Sequence, residues 1–197
     1  MCCRYFINDD AIEILNEKFP GLNDRMSITS GDIYPSETAL AIMGDGRNNN
    51  IVNMVWGLRT KEDTGIVINS RSETVKEKIS FRNLILKKRC IIPATCFYEW
   101  DEERNKASFY SPDGPIVYLA GIYDTPLPGK GMYSRFSILT TEANESVRPV
   151  HDRMPVVIRE SQIDDWLKNE ETYNEILFSQ PMELRCVREV EQLKIGL

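Results

Sequence analysis

Short extended segments separated by turn residues make up most of this chain, and few folds accommodate such a pattern. Helical patterns are fewer and lie at residues 11–19, 73–81, 161–168 and 171–178. Many short strands with scattered helices are typical of an α+β fold, and we expect a mostly antiparallel, barrel-like β-sheet core with flanking helices. The extended segments lie at residues 38–43, 51–58, 65–68, 89–92, 96–100, 107–110, 116–123, 134–140 and 184–190.

The first two helical patterns are preceded by residues that cap helices well. Asn8 or Asp9 stands before residues 11–19, and Ser72 stands before residues 73–81. The short polar side chains of these residues accept hydrogen bonds from the free N–H groups of a first helical turn. We therefore predict that Asn8 or Asp9 begins one helix and that Ser72 begins the next.

Length and composition fit a single domain with an ample core. The 197 residues are 42% hydrophobic and 27% charged, which is ordinary for a globular protein, and we expect residues 1–197 to form one domain. No apolar run approaches the length of a membrane span, and the N-terminus lacks the apolar run of a signal peptide. We expect a cytoplasmic protein, or a nuclear one if the source is eukaryotic, without membrane contact.

Cysteine and histidine usage argues against disulfide and metal chemistry. The five cysteines are odd in number and have no metal-ligand spacing, and there is one histidine. We therefore predict no disulfide framework, no metal site and no cofactor. Cys90 and Cys96 lie in apolar surroundings and are expected in the core. The cysteines are Cys2, Cys3, Cys90, Cys96 and Cys186.

The charge distribution restricts how the chain could meet a nucleic acid. A net charge of −6 argues against a protein that coats nucleic acid non-specifically. A local basic excess between residues 71 and 89 nevertheless fits a focused nucleic-acid groove, and it fits a solvated charged helix equally well. The basic residues of this run are Arg71, Lys76, Lys78, Arg82, Lys87, Lys88 and Arg89.

The amino terminus offers an unusual pair of reactive groups. Removal of Met1 would leave Cys2 with an α-amine and a thiol on adjacent carbons. Such a pair traps an aldehyde, because the amine forms an imine and the thiol then closes a five-membered thiazolidine ring. Both groups are mostly protonated at neutral pH, with reference pKa values of about 8 and about 8.5, so a nearby base is required.

Three further residues are candidates for proton transfer or binding. Glu99 lies in the strand pattern FYEW, where alternation puts it on the face of Phe97 and directs it into the fold. A buried carboxylate there has either an arginine partner or a raised pKa. His151 is the sole histidine, on a loop bounded by prolines beside Asp152, which could orient it. Asn69 ends a strand, where simple turn chemistry would also explain it.

Five separated motifs together resemble the SOS response-associated peptidase (SRAP) family, also called abasic-site processing proteins. They occur in order between residue 2 and about residue 160. The motifs are Met1-Cys2-x-Arg4, NSRSET (residues 69–74), RCIIPATCFYEW (residues 89–100), SILTTEAN (residues 137–144) and HDRMP (residues 151–155).

The resemblance implies an enzyme of the DNA damage response that binds single-stranded DNA at an abasic site and cross-links to it. Its electrophile would be the open-chain deoxyribose aldehyde, and its product a thiazolidine with Cys2. Glu99 would position or deprotonate the amine, and Asn69 would hold the terminus or the sugar oxygen. His151 would open the sugar ring and assist reversal of the link. Removal of Met1 by the same site would account for the peptidase label.

The resemblance also implies a DNA-binding surface and a cellular setting. Arg71 and Arg153 match the family's phosphate-binding arginines, and Arg4 is a third candidate. The family's tryptophans after Trp56-Gly57 are absent here, so Trp100 or Tyr34 is expected to stack on bases. We expect a monomer that acts in the cytoplasm and associates with the nucleoid when bound to DNA.

Two other functions remain open from the residues alone. An N-terminal cysteine hydrolase or peptidase would attack an amide carbonyl with the Cys2 thiolate, and it would need an oxyanion hole but no basic groove. A DNA-binding module without chemistry would leave the placement of Glu99 and His151 unexplained. Cys3, where the family usually has glycine, adds a second thiol beside the terminus.

Overall fold

The computed structural model describes residues 2–19, 30–60, 64–126 and 132–189, which form fifteen strands, four α-helices and a short 3₁₀ turn (Glu160–Gln162). The helices are α1 (Asp9–Lys18), α2 (Ile79–Lys87), α3 (Ile163–Lys168) and α4 (Tyr173–Phe178). The strands are β1 (Tyr5–Ile7), β2 (Gly31–Ile33), β3 (Thr38–Gly44), β4 (Asn49–Trp56), β5 (Leu58–Arg59), β6 (Ile66–Val67), β7 (Asn69–Arg71), β8 (Arg89–Ala94), β9 (Cys96–Trp100), β10 (Lys106–Tyr110), β11 (Val117–Asp124), β12 (Ser134–Glu142), β13 (Arg153–Pro155), β14 (Val157–Ile158) and β15 (Arg185–Arg188).

Five strands close into a small barrel at the centre of the molecule. The order is β12, β4, β3, β8 and β11, and β11 pairs back onto β12. Only the β4–β12 contact within this ring is parallel. Large apolar side chains such as Trp56 and Phe136 are fully buried, with their rings stacked 6.1 Å apart. The predicted α+β fold with a mostly antiparallel, barrel-like core is confirmed.

A second, antiparallel sheet has the strand order β15, β10, β9, β1 and β2. Along β9 the side chains alternate between the two faces, as strand geometry requires. Phe97 and Glu99 are buried at 0% and 1% exposure, whereas Tyr98 and Trp100 share the other face with Arg4. The prediction that Glu99 points into the fold is therefore confirmed. This sheet brings the amino terminus on β1 alongside β9.

The capping predictions had different outcomes. The side chain of Asn8 accepts a hydrogen bond from the Ala11 amide at 2.9 Å, so the predicted cap of α1 is confirmed. A helix over residues 73–81 that begins at Ser72 is wrong, because α2 begins only at Ile79. The Ser72 amide instead donates to the Thr140 carbonyl at 2.8 Å, which continues the pairing of β7 with β12. Residues 72–77 form turns.

The basic run between residues 71 and 89 is not one continuous surface. Arg89 is buried at 6% exposure, and its guanidinium donates hydrogen bonds to four carbonyls, those of Trp166, Ile85, Leu86 and Asn169. Lys88 pairs with Asp124 at 3.1 Å. Arg89 is thus a structural residue, and it belongs neither to a nucleic-acid groove nor to a solvated helix face, the two alternatives that the sequence left open for this run.

Some sequence features cannot be followed in the structure. Met1 and residues 61–63, part of the shortened segment after Gly57, lie outside the described residues.

The expected core positions of Cys90 and Cys96 are confirmed, at 0% and 1% exposure. None of the described helices has the length and hydropathy of a membrane-spanning segment.

Candidate active site

Cys2 is held in the interior, three residues before the first strand begins. It is fully buried, and its carbonyl oxygen accepts a hydrogen bond from Asn69 Nδ2 at 2.8 Å. Its Sγ lies 3.8 Å from the Arg4 carbonyl oxygen, to which the thiol donates. Asn69 begins β7, which runs parallel to β12 of the barrel. The terminus is therefore fixed by a residue that the barrel itself positions, while Cys3 is exposed.

The environment of Cys2 keeps its thiol protonated. Burial raises the pKa of Cys2 well above its ordinary value, and the negative charge of Glu99 raises it further. A free thiolate is therefore disfavoured at neutral pH. A thiol in this state suits addition to an electrophile with a base nearby better than unassisted attack as a thiolate.

Glu99 is a titratable group poised close to neutral pH. Burial raises the pKa of its carboxyl to about 7, and the charge of Asp152 acts in the same direction. A carboxyl whose pKa lies near the working pH can both accept and return a proton. Because Glu99 also influences the Cys2 thiol, the two side chains form one electrostatic unit.

His151 has a defined tautomer when neutral. The Arg153 amide N–H lies 2.9 Å from Nδ1, and Asp152 Oδ1 also lies 2.9 Å from that nitrogen. One Nδ1 atom cannot accept from the amide and donate to the carboxylate in the same protonation state. The Asp152 side chain is 85% exposed and can move, so the hydrogen bond from the Arg153 amide determines the tautomer of His151. Nε2 then carries the proton, and burial lowers the pKa of His151, which favours this neutral form.

An open groove of about 750 Å³ runs beside His151. Trp100 contributes an aromatic wall, and the turn after β9 contributes acidic side chains. His151 lines this groove, but the acidic side chains of the groove repel phosphates. Its lining residues are Trp100, Asp101, Glu102, Glu103, Arg148, Pro149, Val150, His151 and Asp152.

Asn69 retains an unused hydrogen-bonding atom at this site. Its Oδ1 is buried and makes no hydrogen bond to any described residue, although its Nδ2 binds the Cys2 carbonyl. A buried acceptor without a donor is costly and is uncommon in folded proteins. A hydroxyl or amine brought to this atom would satisfy it.

The arginines singled out in the sequence have different surroundings. Arg71 is exposed at the end of β7. Arg153 forms a two-pronged ion pair with Glu73, and its side chain is 12% exposed. Arg71 is thus open to a phosphate, whereas Arg153 already has an anionic partner.

Arg4 lies in an aromatic cage on the outer face of the second sheet. Its guanidinium is 4.8 Å from the Trp100 ring centroid, 5.1 Å from that of Tyr98 and 5.5 Å from that of Tyr34. It also donates to the Tyr34 hydroxyl at 3.0 Å and lies 3.5 Å from Asp32. These contacts fix Arg4 and Trp100 to each other at the edge of the groove.

The structure thus brings Cys2, Asn69 and Glu99 together, with His151 and Trp100 on the adjoining groove.

Sequence reasoning missed Glu73, which it assigned to a first helical turn. The motif NSRSET contains this acidic residue, but its partner Arg153 lies 80 positions further along the chain, so no local pattern indicates the pair. Among the described side chains, no cluster of histidine, cysteine and acidic residues could hold a metal ion.

Comparison with known sequences identifies similar proteins. A family model described as SOS response associated peptidase (SRAP) matches residues 1–193. The abasic site processing protein YoqW of Bacillus subtilis is 36% identical over 188 residues, which cover 87% of this chain and 82% of that protein. The abasic site processing protein YoaM of the same organism is 36% identical over 161 residues, covering 76% and 70%. The abasic site processing protein HMCES of Gallus gallus is 28% identical over 173 residues, covering 71% and 51%.

Solved structures share the architecture. A protein from Bacteroides thetaiotaomicron superposes with a TM-score of 0.80 at 25% identity, covering 96% of this chain and 93% of that one. A protein from Bordetella bronchiseptica superposes with a TM-score of 0.79 at 23% identity, covering 96% and 100%. The barrel and the second sheet therefore belong to a fold that distant sequences adopt.

Proposed function

Because this chain belongs to the SOS response associated peptidase (SRAP) family, we propose that it processes abasic sites in DNA by forming a covalent link through Cys2. Relatives that are named abasic site processing proteins support this substrate class. The observation that carries the proposal is the arrangement around Cys2: its carbonyl is tied to Asn69, and its thiol is coupled to the buried Glu99. The substrate is abasic single-stranded DNA, met in the cytoplasm at the nucleoid.

The proposed reaction needs proton transfer at three points. After Met1 has been removed, Glu99 takes a proton from the ammonium group of Cys2, so that the amine can attack the sugar aldehyde. Loss of one water gives an imine. The sulfur then bonds to the imine carbon, and the thiol proton passes to the nitrogen, which closes the thiazolidine. A carboxyl with a pKa of about 7 suits both the removal and the return of a proton.

His151 serves the sugar in this proposal. The aldehyde of an abasic site is mostly closed as a hemiacetal, so a proton must reach the ring oxygen before Cys2 can react. His151 lies on the groove beside Trp100, and imidazole exchanges protons near neutral pH. The same group assists ring closure when the link is reversed.

The DNA backbone is proposed to run past Arg71 and away from the acidic turn. Arg71 is exposed, and Arg153 still has one Nη1 hydrogen that the Glu73 pair does not use. Arg4 is the third phosphate contact, and Trp100 beside it stacks on a base. Glu102 and Glu103 also line the groove, and their carboxylates disfavour a path beside them.

A hydrolase that relies on a Cys2 thiolate is the weaker candidate. Such an enzyme needs an ionised nucleophile, and burial raises the pKa of Cys2 well above its ordinary value. The addition of a protonated thiol to an imine has no such requirement, because the thiol proton is used in the product.

Intact-mass measurement tests the proposal. The protein without Met1 is incubated with a single strand containing one abasic site, and with the same strand undamaged as a control. We expect a species equal to protein plus DNA minus one water, stable without reductant, from the abasic strand alone. An adduct that survives only after borohydride reduction would point to an imine without ring closure, and no adduct would overturn the proposal.

A further inference from the structure

Glu73 and Arg153 form the best-defined ion pair near the proposed site. Arg153 Nη1 lies 2.6 Å from Glu73 Oε1, and Nη2 lies 3.0 Å from Oε2. Nη2 also donates to the Thr140 carbonyl at 2.8 Å. The hydrogen bonds from Arg153 lower the pKa of Glu73, so its carboxylate stays ionised at neutral pH. Two parallel charge-assisted bonds fix both orientation and distance.

The pair connects the two chain segments that carry the reactive groups. Glu73 follows β7, whose first residue, Asn69, binds the Cys2 carbonyl. Arg153 begins β13, and its amide N–H holds Nδ1 of His151. Glu73 and Arg153 are 80 positions apart in the sequence. No other side-chain ion pair among the described residues joins these two segments.

We propose that Glu73 is a positioning residue for this reaction, because its pair with Arg153 holds the His151 loop in register with the segment that fixes Cys2. The inference rests on the proposed function in so far as it concerns the reaction. The structural part of the inference concerns only the distance between the His151 loop and the segment that carries Asn69 and Glu73. A side chain that touches neither Cys2 nor His151 thus sets the geometry between them.

The guanidinium fork is essential to this role. Lysine would keep the positive charge, but a single ammonium group cannot make two parallel bonds to one carboxylate. Arg153→Lys should therefore disturb the site as Glu73→Gln does. If Arg153 acted only as a charge for phosphate, Arg153→Lys would instead behave like the parent protein.

The test compares Glu73→Gln with Glu142→Gln. Glu142 is an exposed carboxylate opposite Arg153 in the β12–β13 pairing, and it makes no ion pair with a described residue. Glu142→Gln therefore removes the same charge from the same surface. His151 is the sole histidine, so its ring ¹⁵N signals are unambiguous. In the parent and Glu142→Gln we expect the Nε2–H tautomer and a protected Arg153 amide. In Glu73→Gln we expect mixed tautomers and faster exchange of that amide.

Kinetics with abasic single strands complete the test. Glu73→Gln should slow adduct formation and release by about tenfold, because small displacements of reacting groups are costly. Thermal unfolding should still be cooperative, and the salt dependence of binding to undamaged strands should be unchanged. Tighter DNA binding by Glu73→Gln would overturn the inference, since Glu73 would then merely occupy a phosphate position. Unchanged His151 signals would overturn it as well. If the parent forms no adduct, the proposed function fails, while the spectroscopic arm still decides the positioning role.

Discussion

In the proposed addition reaction, each of the residues around Cys2 has a separate task. One small region of the interior contains three groups: the protonated thiol of Cys2, the carboxyl of Glu99 with a pKa near neutral pH, and the side-chain amide of Asn69, which binds the Cys2 carbonyl. Only the carboxyl of Glu99 transfers protons at a pH close to its own pKa, whereas the Cys2 thiol adds while it is protonated and the Asn69 amide holds the carbonyl. Burial supplies this tuning, since it disfavours the charged form of every acid it encloses.

Substitution of the two terminal cysteines distinguishes their roles. Thiazolidine needs the amine and thiol of one residue, so Cys2→Ser should reduce stable adduct to background, although a labile imine can still form. Cys3→Gly should leave the yield unchanged, because Cys3 is exposed and has no free α-amine. Intact mass with and without borohydride measures both. The assignment of the nucleophile is wrong if Cys3→Gly loses the adduct while Cys2→Ser keeps it.

Glu99 should make the stability of the protein depend on pH in a predictable direction. Its pKa is about 7 when folded and 4.5 ordinarily, so the folded state retains a proton between these values that the unfolded chain has lost. The free energy of unfolding therefore falls as pH rises through this window, by up to about 3 kcal/mol. Glu99→Gln lacks this titration, so its stability relative to the parent should rise from about pH 5 to about pH 8.

Urea denaturation of both proteins at several pH values measures this difference. A control substitution at Glu102, an exposed acidic residue beyond β9, should give a profile parallel to that of the parent. Parallel profiles for Glu99→Gln and the parent would mean that Glu99 is ionised in the folded protein throughout this range.

At the scale of secondary structure, β12 organises the site. β7 pairs with it in parallel at residues 138–140, and β13 pairs with it antiparallel at residues 140–142. Asn69 and Arg71 therefore arrive from one side and Arg153 from the other. The site forms where two short strands meet the end of a long one, which explains why its residues are distant in sequence.

Arg89 should matter for the packing of elements and not for DNA binding. Its guanidinium joins the end of α2 to α3 through the carbonyls of Ile85 and Trp166, and it lies 4.4 Å from the ring centroid of Tyr173 in α4. Arg89→Met would leave several buried carbonyls without donors. We expect a loss of about 3 kcal/mol in the free energy of unfolding, measured in urea.

Arg89→Met should leave DNA binding unchanged. Under conditions where the variant is folded, the affinity for single strands and its salt dependence should match the parent. A reduced salt slope would return Arg89 to the basic face and contradict its structural role.

At the scale of the whole molecule, a net charge of −6 means that DNA must be attracted locally. Arg71→Ala should weaken single-strand binding and reduce the slope of log affinity against log salt by about 0.7, because one phosphate contact is lost. Arg47→Ala is the matched control, since Arg47 is an exposed arginine in the turn between β3 and β4, at the other end of β4 from the site. Equal slopes for the two variants would mean that the DNA path lies elsewhere.

The sequence by itself determined the features that depend on neighbouring residues. Strand alternation put Glu99 inside, a short polar side chain at residue 8 capped α1, and the order of motifs indicated the family. Such features follow from backbone periodicity and local hydrogen bonding, which a few consecutive residues settle.

Only the tertiary structure decided which distant groups meet. Residues 73–81 have a helical pattern with Ser72 as a good cap, yet α2 begins only at Ile79. Pairing with β12 and the Arg153 ion pair hold the residues before it in turns. In the sequence, Arg89 resembles any other surface charge. In the structure, its guanidinium donates to four carbonyls at the ends of α2 and α3. The physical reason is the same in both cases: long-range pairing and burial outweigh local propensity, which differs by less than about 1 kcal/mol per residue.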